Sequence, residues 1–221
     1  MDYSRHRDLF NPEEFNKSDK VTVIGAGATG SWLVLALAKL GITDITVYDF
    51  DTVEEHNLPN QCYGLPDVNK QKLIALRDMV HAQTGITIGI KDEKFINQRV
   101  SGYVFNLVDT MKDRETIWAQ AIKYKTSVKL YVEPRLGMDG GQIYAITPIN
   151  RTHIEQYENT FYSDEDSEVS ACGHSLSVIT SSLAIVSTCV RTMIEHFNGR
   201  TDVHNSIMLD FKYNNLVAYE W

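Results

Sequence analysis

The stretch Val21-Thr22-Val23-Ile24-Gly25-Ala26-Gly27-Ala28-Thr29-Gly30-Ser31 decides the fold. A β-branched run feeds three glycines spaced G-x-G-x-x-G, and a helical apolar pattern (Trp32, Leu33, Leu35, Ala36, Leu37, Leu40) begins at once. Gly41 ends that helix as a left-handed cap. A second strand, Asp44 to Tyr48, delivers Asp49 nineteen residues beyond Gly30. This order is the βαβ fingerprint of a nucleotide-binding unit. Gly25 allows the tight turn, Gly27 the close approach of phosphate, and Gly30 the close packing of helix on sheet. Free N–H groups and the helix dipole favour an anion at the turn, and a carboxylate at Asp49 suits ribose hydroxyls. A glycine turn that only packs is the alternative; strand, helix and acid at the right distance weigh against it.

Composition sets the bounds around that unit. A chain of 221 residues is most simply one domain with one substantial core. Within it, a nucleotide-binding core is expected over 18–135 and a C-terminal partner or crossover part over 136–221. A net charge of −8 argues against general affinity for nucleic acid or an anionic membrane, because phosphate binding needs a basic face. One nucleotide bound locally remains compatible with it. No basic segment followed by an apolar run opens the chain, and its most apolar helices carry Lys39, or Arg191 with Glu195. No signal peptide and no membrane crossing are therefore expected. Cys62, Cys172 and Cys189 form no C-x-x-C pair and no zinc-ligand spacing, which fits a reducing cytoplasm.

Outward from the glycine loop, Asn11-Pro12-Glu13-Glu14 reads as a capped helix start. Residues 50–61 are too polar and interrupted for a strand or long helix and read as a loop beyond the carboxyl end of the second strand. Open α/β sheets keep their ligands at that end. Asp67 or Asn69 can cap the next helix, whose stripe is Leu73, Ile74, Leu76 and Val80. Lys70 and Lys72 fall in its first turns, where cations oppose the dipole; a nearby anion explains them, and for Lys70 a solvated face explains it equally well. Further strands are expected over Ile86–Ile90, Tyr103–Val108, Ser127–Glu133 and Gln142–Thr147, with a helix over Met111–Lys123. Ser163 to Glu168 is an acidic run suited to a surface loop. A helix follows with apolar positions Ile179, Leu183, Val186, Val190 and Ile194, and with a small face (Ser181, Ser182, Ala184, Ser187) fit for the sheet or a second subunit. Ile207–Phe211 and Leu216–Tyr219 pair through Asn214-Asn215. The sum is an α/β fold: a Rossmann-like, doubly wound, mainly parallel sheet with a C-terminal antiparallel hairpin.

The polar outliers Arg5, Asp49, Asn57, Lys72 and Asp109 go together. Two acids sit at strand ends beside a phosphate cradle, one able to hold ribose and one able to hold Mg²⁺, with two cations for phosphates. That is equipment for ATP, whose leaving pyrophosphate gathers charge that a metal and basic groups neutralise.

These pieces resemble the ThiF/MoeB/E1-like superfamily of adenylyltransferases, which activate C-terminal carboxylates of ubiquitin-like and sulfur-carrier proteins. The resemblance rests on Tyr3-Ser4-Arg5, Gly25 to Ser31, Asp49 to Val53, Asn57-Leu58 with Gln61, Lys72, and Asp109 with Arg114; Glu133-Pro134-Arg135 and Gly141-Gln142-Ile143 also match. It implies a nucleotide loop bounded by Gly25, Gly27 and Gly30, ribose on Asp49, phosphates on Asn57 and Lys72, and Mg²⁺ on Asp109. It also implies a homodimer in which Arg5 reaches the partner's ATP site. The substrate would be a ubiquitin-like protein, a sulfur carrier or a peptide with a free C-terminus. The reaction would be carboxylate plus ATP giving acyl-adenylate plus pyrophosphate.

The chain departs from the family at Asn60, where N-L-x-R-Q carries arginine; Lys70 or Arg135 is available as a substitute. The paired C-x-x-C motifs of zinc-bearing relatives are absent, so no structural zinc is expected. Cys172 stands before a helix start with His174 nearby, a setting that lowers a thiol pKa, and some relatives use a cysteine there to take the acyl group. The plainer reading makes Cys172 a small residue at a helix entry. Cys189 reads as core, and His56 as a solvated loop histidine near the site. Two other functions remain: an NAD- or FAD-dependent oxidoreductase, which leaves Asn57, Lys72, Asp109 and Arg5 unexplained, and a nucleotide-binding partner protein with reduced catalysis.

Overall fold

The structure is a computed structural model and describes residues 1–137, 139–163, 178–200 and 204–221. Among these, helix α1 (Pro12–Ser18) precedes β1 (Val21–Ile24), α2 (Ala28–Lys39), β2 (Ile45–Asp49), α3 (Lys72–Thr84), β3 (Gly89–Asp92) and β4 (Gly102–Asn106). Then come α4 (Met111–Ile117), β5 (Val128–Leu136), β6 (Gly140–Ile146), α5 (Arg151–Glu158), α6 (Ile179–Phe197), β7 (Ser206–Asp210) and β8 (Asn215–Tyr219). The strands form one sheet in the order β3-β2-β1-β4-β5-β6-β7-β8. Strands β3, β2, β1, β4 and β5 pair in parallel, and every pairing from β5 to β8 is antiparallel. The order reverses between β1 and β4, and at such a switch point the diverging loops open a crevice beyond the carboxyl ends of the strands.

The sheet is wound on both faces. One core joins β1, β2, α2, α3 and α6 through Val23, Leu33, Leu37, Val47, Leu76 and Met193. The other packs α4, its extension and α5 through Trp118, Ile122, Tyr131, Ile154 and Tyr157. Both faces of β4 are covered, so its five residues are all buried, as a continuous apolar run requires. Helix α6 lies close on β6 because Gly141 has no Cβ: one placed there would stand 2.4 Å from the Ile185 side chain.

Several boundaries differ from the sequence reading. Helix α3 starts at Lys72 with Gln71 as its cap, whereas Asp67 accepts the Gly64 N–H in a separate short turn and Asn69 is left-handed at φ 69°. The Met111–Lys123 helix changes pitch: Trp118–Ile122 is a π turn, with Lys123 N–H bonding Trp118 O. Ile86 to Ile90 alternates in burial as expected, but ladder pairing with β2 begins only at Gly89. Strand β5 runs past Glu133 to Leu136 because β6 takes over its pairing from Tyr131 onward. The C-terminal antiparallel region therefore comprises β5 to β8 rather than a hairpin alone. In α6, Ser181, Ser182, Ile185 and Cys189 face inward, while Ile179 and Leu183 are exposed. Small and bulky residues share the buried face: Ser181 and Ser182 lie beside Ile185, Val186 and Met193, while Ser187 is exposed. Helix α5 went unforeseen; Asn150 caps it by accepting the Thr152 and His153 N–H groups.

Candidate active site

The switch point opens into a cleft of about 1700 Å³. On the glycine loop, Gly25 has φ 99° and its Cβ position lies 2.9 Å from Leu107 O, so the loop is pressed against the chain leaving β4. Gly30 is closed more tightly still: a Cβ would lie 2.0 Å from Gly25 O. Gly27 differs. It lines the cleft, and a Cβ there would meet nothing within 4 Å. The space over Gly27, at the start of α2, is therefore open for a ligand to approach backbone N–H groups.

Asp49 holds the loop from behind. One carboxylate oxygen accepts the Ala26 N–H at 2.7 Å and the other accepts the Asp51 N–H at 2.8 Å. Asp49 is not among the residues that line the cleft, whereas Asp51, two residues on, is. Lys72 is buried and donates to Asp51 Oδ2 at 2.8 Å, while its own N–H bonds Asp51 O. Thr52 pairs with Gln71 in an isolated bridge, so the loop after β2 and the start of α3 are laced together and present Lys72 to the cleft. Asn57 caps a short turn by accepting the Glu54 N–H and also lines the cleft. The following loop docks on α2: Trp32 Nε1–H donates to Asn60 O, Ser31 Oγ accepts the Cys62 N–H, and Tyr63 OH donates to Ala26 O. Gln61 also lines the cleft, and among the described residues its buried side-chain oxygen has no hydrogen-bond partner.

Asp109 follows β4. Its residue surface is open to the cleft, yet protein closes round the carboxyl, and this loss of water raises its pKa; Arg114 and Lys72 pull in the other direction. Among the described residues no three His, Cys, Asp or Glu side chains gather to hold an ion. One carboxylate with substrate phosphates is, however, how Mg²⁺ is commonly held.

The wall formed by β5 was not foreseen in detail. Glu133 is completely buried, and Arg114 Nη1 and Arg135 Nε lie 3.1 and 2.6 Å from its Oε1. Tyr131 and Tyr157 donate their hydroxyls to its Oε2. Burial opposes the charge on Glu133, but the two guanidinium groups and the tyrosine bond outweigh it and hold its pKa below the usual range. Arg135 also donates to Thr160 O and Oγ1 and lies 4.5 Å over the Tyr144 ring. Arg114 donates to Pro134 O. Both arginines line the cleft.

Arg5 lies elsewhere. It is exposed, outside the cleft lining, and the neighbouring Tyr3 packs on Gly41, at the end of α2 away from the glycine loop. Lys70 is paired with Asp67 and does not line the cleft; Arg135 does, with its Nε on Glu133 and each terminal nitrogen donating to Thr160. His56 is exposed at the cleft rim near Glu54. Burial raises the Cys62 thiol to about 12 and raises Cys189 as well, so neither is a ready nucleophile. Cys172 lies outside the described residues. Asp51 and Arg114 are charged cleft residues to which sequence reasoning gave no role; the Asp-x-Asp spacing ahead of Lys72 was the available signal for the first.

Residues 3–214 match the sequence pattern of the ThiF family. The probable adenylyltransferase/sulfurtransferase MoeZ of Mycobacterium tuberculosis is 40% identical over 85 residues, which are 36% of this chain and 22% of MoeZ. The tRNA threonylcarbamoyladenosine dehydratase of Haemophilus influenzae is 29% identical over 132 residues, 54% of this chain and half of that protein. The chain thus spans less than a quarter of MoeZ and half of the dehydratase. Escherichia coli MccB, crystallised with ATP, superposes with a TM-score of 0.71 over 99% of this chain and 70% of MccB, at 14% identity. MccB has also been crystallised with AMPCPP and MccA.

Proposed function

The chain belongs to the ThiF family, and from that premise we propose that it binds ATP in the cleft and adenylates a carboxylate, releasing pyrophosphate. The observation that carries this reading is the convergence of the open glycine at position 27, Lys72 and Asp109 on one cleft at the β1/β4 switch point. The relatives named adenylyltransferase and the MccB fold crystallised with ATP support it. A nicotinamide or flavin enzyme would have no evident need for Lys72 and Asp109 in that arrangement.

In the proposed reaction a carboxylate oxygen attacks the α-phosphorus. The C–O–P bond forms, the α–β P–O bond breaks, and the electron pair leaves with pyrophosphate. The backbone over Gly27 takes phosphate oxygens, and Lys72 leans from Asp51 toward them. Asn57 adds an amide on the same side. Asp109 would hold Mg²⁺, whose contribution is to neutralise the negative charge of the leaving group. Asp51, itself half exposed, holds the buried Lys72 ammonium at the cleft wall, so the cation is already at the site when charge shifts. Asp49 serves by fixing the Ala26 and Asp51 amides, with ribose contact as its further role.

The acyl substrate belongs to the proposal as well: a ubiquitin-like protein, a sulfur carrier or a peptide. MccB crystallised with both a nucleotide and MccA favours a site that holds a polypeptide beside the nucleotide. A homodimer completes the reading, because Arg5 lies at the far end of its own α2 and can assist only at a second copy's cleft. A labile adduct on Cys172 after incubation with ATP and the partner would add transfer to that thiol. Exchange of labelled pyrophosphate into ATP, surveyed over candidate C-terminal carboxylates, tests the reaction. Exchange with one class of carboxylate, lost in Asp109→Ala, is expected; Asp109→Ala with normal exchange removes that residue's role.

A further inference from the structure

The cleft wall at β5 carries positive charge that nucleotide binding leaves unused. Two arginines there share one carboxylate: Arg114 and Arg135 both meet Glu133. Lys72, by contrast, is matched one to one by Asp51. Arg114 Nη1 serves Pro134 O and Glu133 together. Among the described residues, no hydrogen bond or ion pair engages its Nε or Nη2, although its side chain is only 9% exposed and lines the cleft. Asp109 is near enough for Arg114 to lower its pKa, but the two form no ion pair.

An Nε–Nη2 edge is the side-on fork of a guanidinium, with two parallel N–H donors matched to the two oxygens of a carboxylate. A buried cation with open donors is costly unless an anion or water meets it. The place of the fork says which anion suits it. Strand β5 is two positions from β1 in the sheet, about 10 Å from the glycine loop at ordinary strand spacing. It also lies beyond Asp109, on the side where Gly140, Gly141, Tyr144, Met208 and Tyr213 continue the cleft. That half has room for a chain.

We propose that Arg114, held in position by Glu133, is the recognition site for the carboxylate of the acyl substrate, whose chain runs back across β6 and β7. This rests on the reading that the protein activates a carboxylate. An ionised carboxylate has about four lone-pair sites, so both oxygens can meet the fork while one keeps a lone pair for the α-phosphorus. Arg135, stacked on Tyr144 and tied to Thr160, is the rigid neighbour that shares Glu133.

The test uses triglycine and triglycine amide, titrated separately into the full chain with and without AMPCPP and Mg²⁺, with the arginine Nε–H resonances observed by NMR. The free acid is expected to bind about tenfold tighter than the amide, as suits a charge-assisted pair, and to shift one Nε–H resonance that disappears in Arg114→Gln. Arg114→Gln should abolish the preference for acid while AMPCPP affinity stays within about twofold. Arg114→Lys, which keeps the charge without the fork, should retain part of the preference and secures the result if the glutamine variant folds poorly. Equal binding of acid and amide by the unaltered protein overturns the proposal. So does a preference that survives Arg114→Gln, or a loss of AMPCPP affinity in that variant as large as the loss for triglycine, which would assign the fork to phosphate. Failure of AMPCPP to bind the unaltered protein, with the acid preference intact, would count against the nucleotide reading and leave the carboxylate site standing.

Discussion

Glu133→Gln is expected to be among the most destabilising isosteric changes in the molecule. Glu133 is fully buried and receives Arg135 Nε at 2.6 Å, Arg114 Nη1 at 3.1 Å and the hydroxyls of Tyr131 and Tyr157. Burial pushes both tyrosines up, so they remain protonated donors. The amide keeps the volume and one acceptor, but it leaves two largely buried guanidinium groups with no counter-charge. Losing one partner of such a buried pair costs about 3–5 kcal/mol, out of a total stability on the order of 5–15 kcal/mol. With a urea slope of about 3 kcal/mol/M for a chain of this size, the midpoint should fall by about 1–1.7 M. Arg191→Ala serves as the control: its partner Glu195 is one turn away and Arg191 is half exposed, so the loss should stay under about 1 kcal/mol. The pKa of Glu133 is lowered in the fold, so its stabilisation is present above the unfolded value of about 4.3 and is lost as pH falls through the folded value. Acid should therefore unfold the native protein below that window, and the slope there should shrink in Glu133→Gln. A urea midpoint within about 0.3 M of the unaltered protein would refute the argument that this carboxylate balances the arginines.

Gly27→Ala and Gly30→Ala should separate binding from folding. Alanine at 27 finds open space and should leave the melting temperature nearly unchanged while weakening ATP at least about tenfold; alanine at 30 meets Gly25 O and should lower it sharply. Burial lowers the pKa of His153, whose Nδ1 accepts the Thr147 N–H, and of His196, beside Tyr103. Their share of stability is complete above the unfolded value of about 6.5 and is lost as pH drops through the folded values; urea midpoints at pH 7.5 and 5.5 should differ less in His153→Asn. Arg5→Ala should impair pyrophosphate exchange with little change in unfolding midpoint, and mixing it with Asp109→Ala should restore some exchange if the arginine works in the partner's site. Sedimentation of a fully active monomer would end that role.

The glycine loop was legible because each of its requirements is local. A turn at φ 99°, a backbone contact at Gly30 and an acid one strand away leave marks at fixed spacing. Lys72 and Asp109 were legible for a related reason, since a cation at a helix start and an acid at a strand end both break the expected pattern. The position of Asp49 was right, but its direction was not readable: facing the loop or the cleft depends on which amides lie nearest, and Ala26 and Asp51 lie nearest. The wall at β5 needed contacts between residues up to 25 positions apart, Arg114 to Glu133 and Arg135 to Thr160. Helix α5, which brings Tyr157 to Glu133, is short and strongly polar, so periodicity alone did not find it. The stripe of α6 misled in the same way. Val186 and Ile194 of that stripe are buried, but Ile179 and Leu183 are exposed, because the helix is rotated to set Ile185 against Gly141.

The most direct measurement is a structure of crystals grown with AMPCPP and Mg²⁺. The account predicts phosphate oxygens within hydrogen-bond reach, about 3 Å, of the backbone at Gly27 to Thr29 and of Lys72 Nζ, with Asp109 facing the same group. A nucleotide seated elsewhere, or the cleft empty beside an undisturbed Lys72–Asp51 pair, would contradict it.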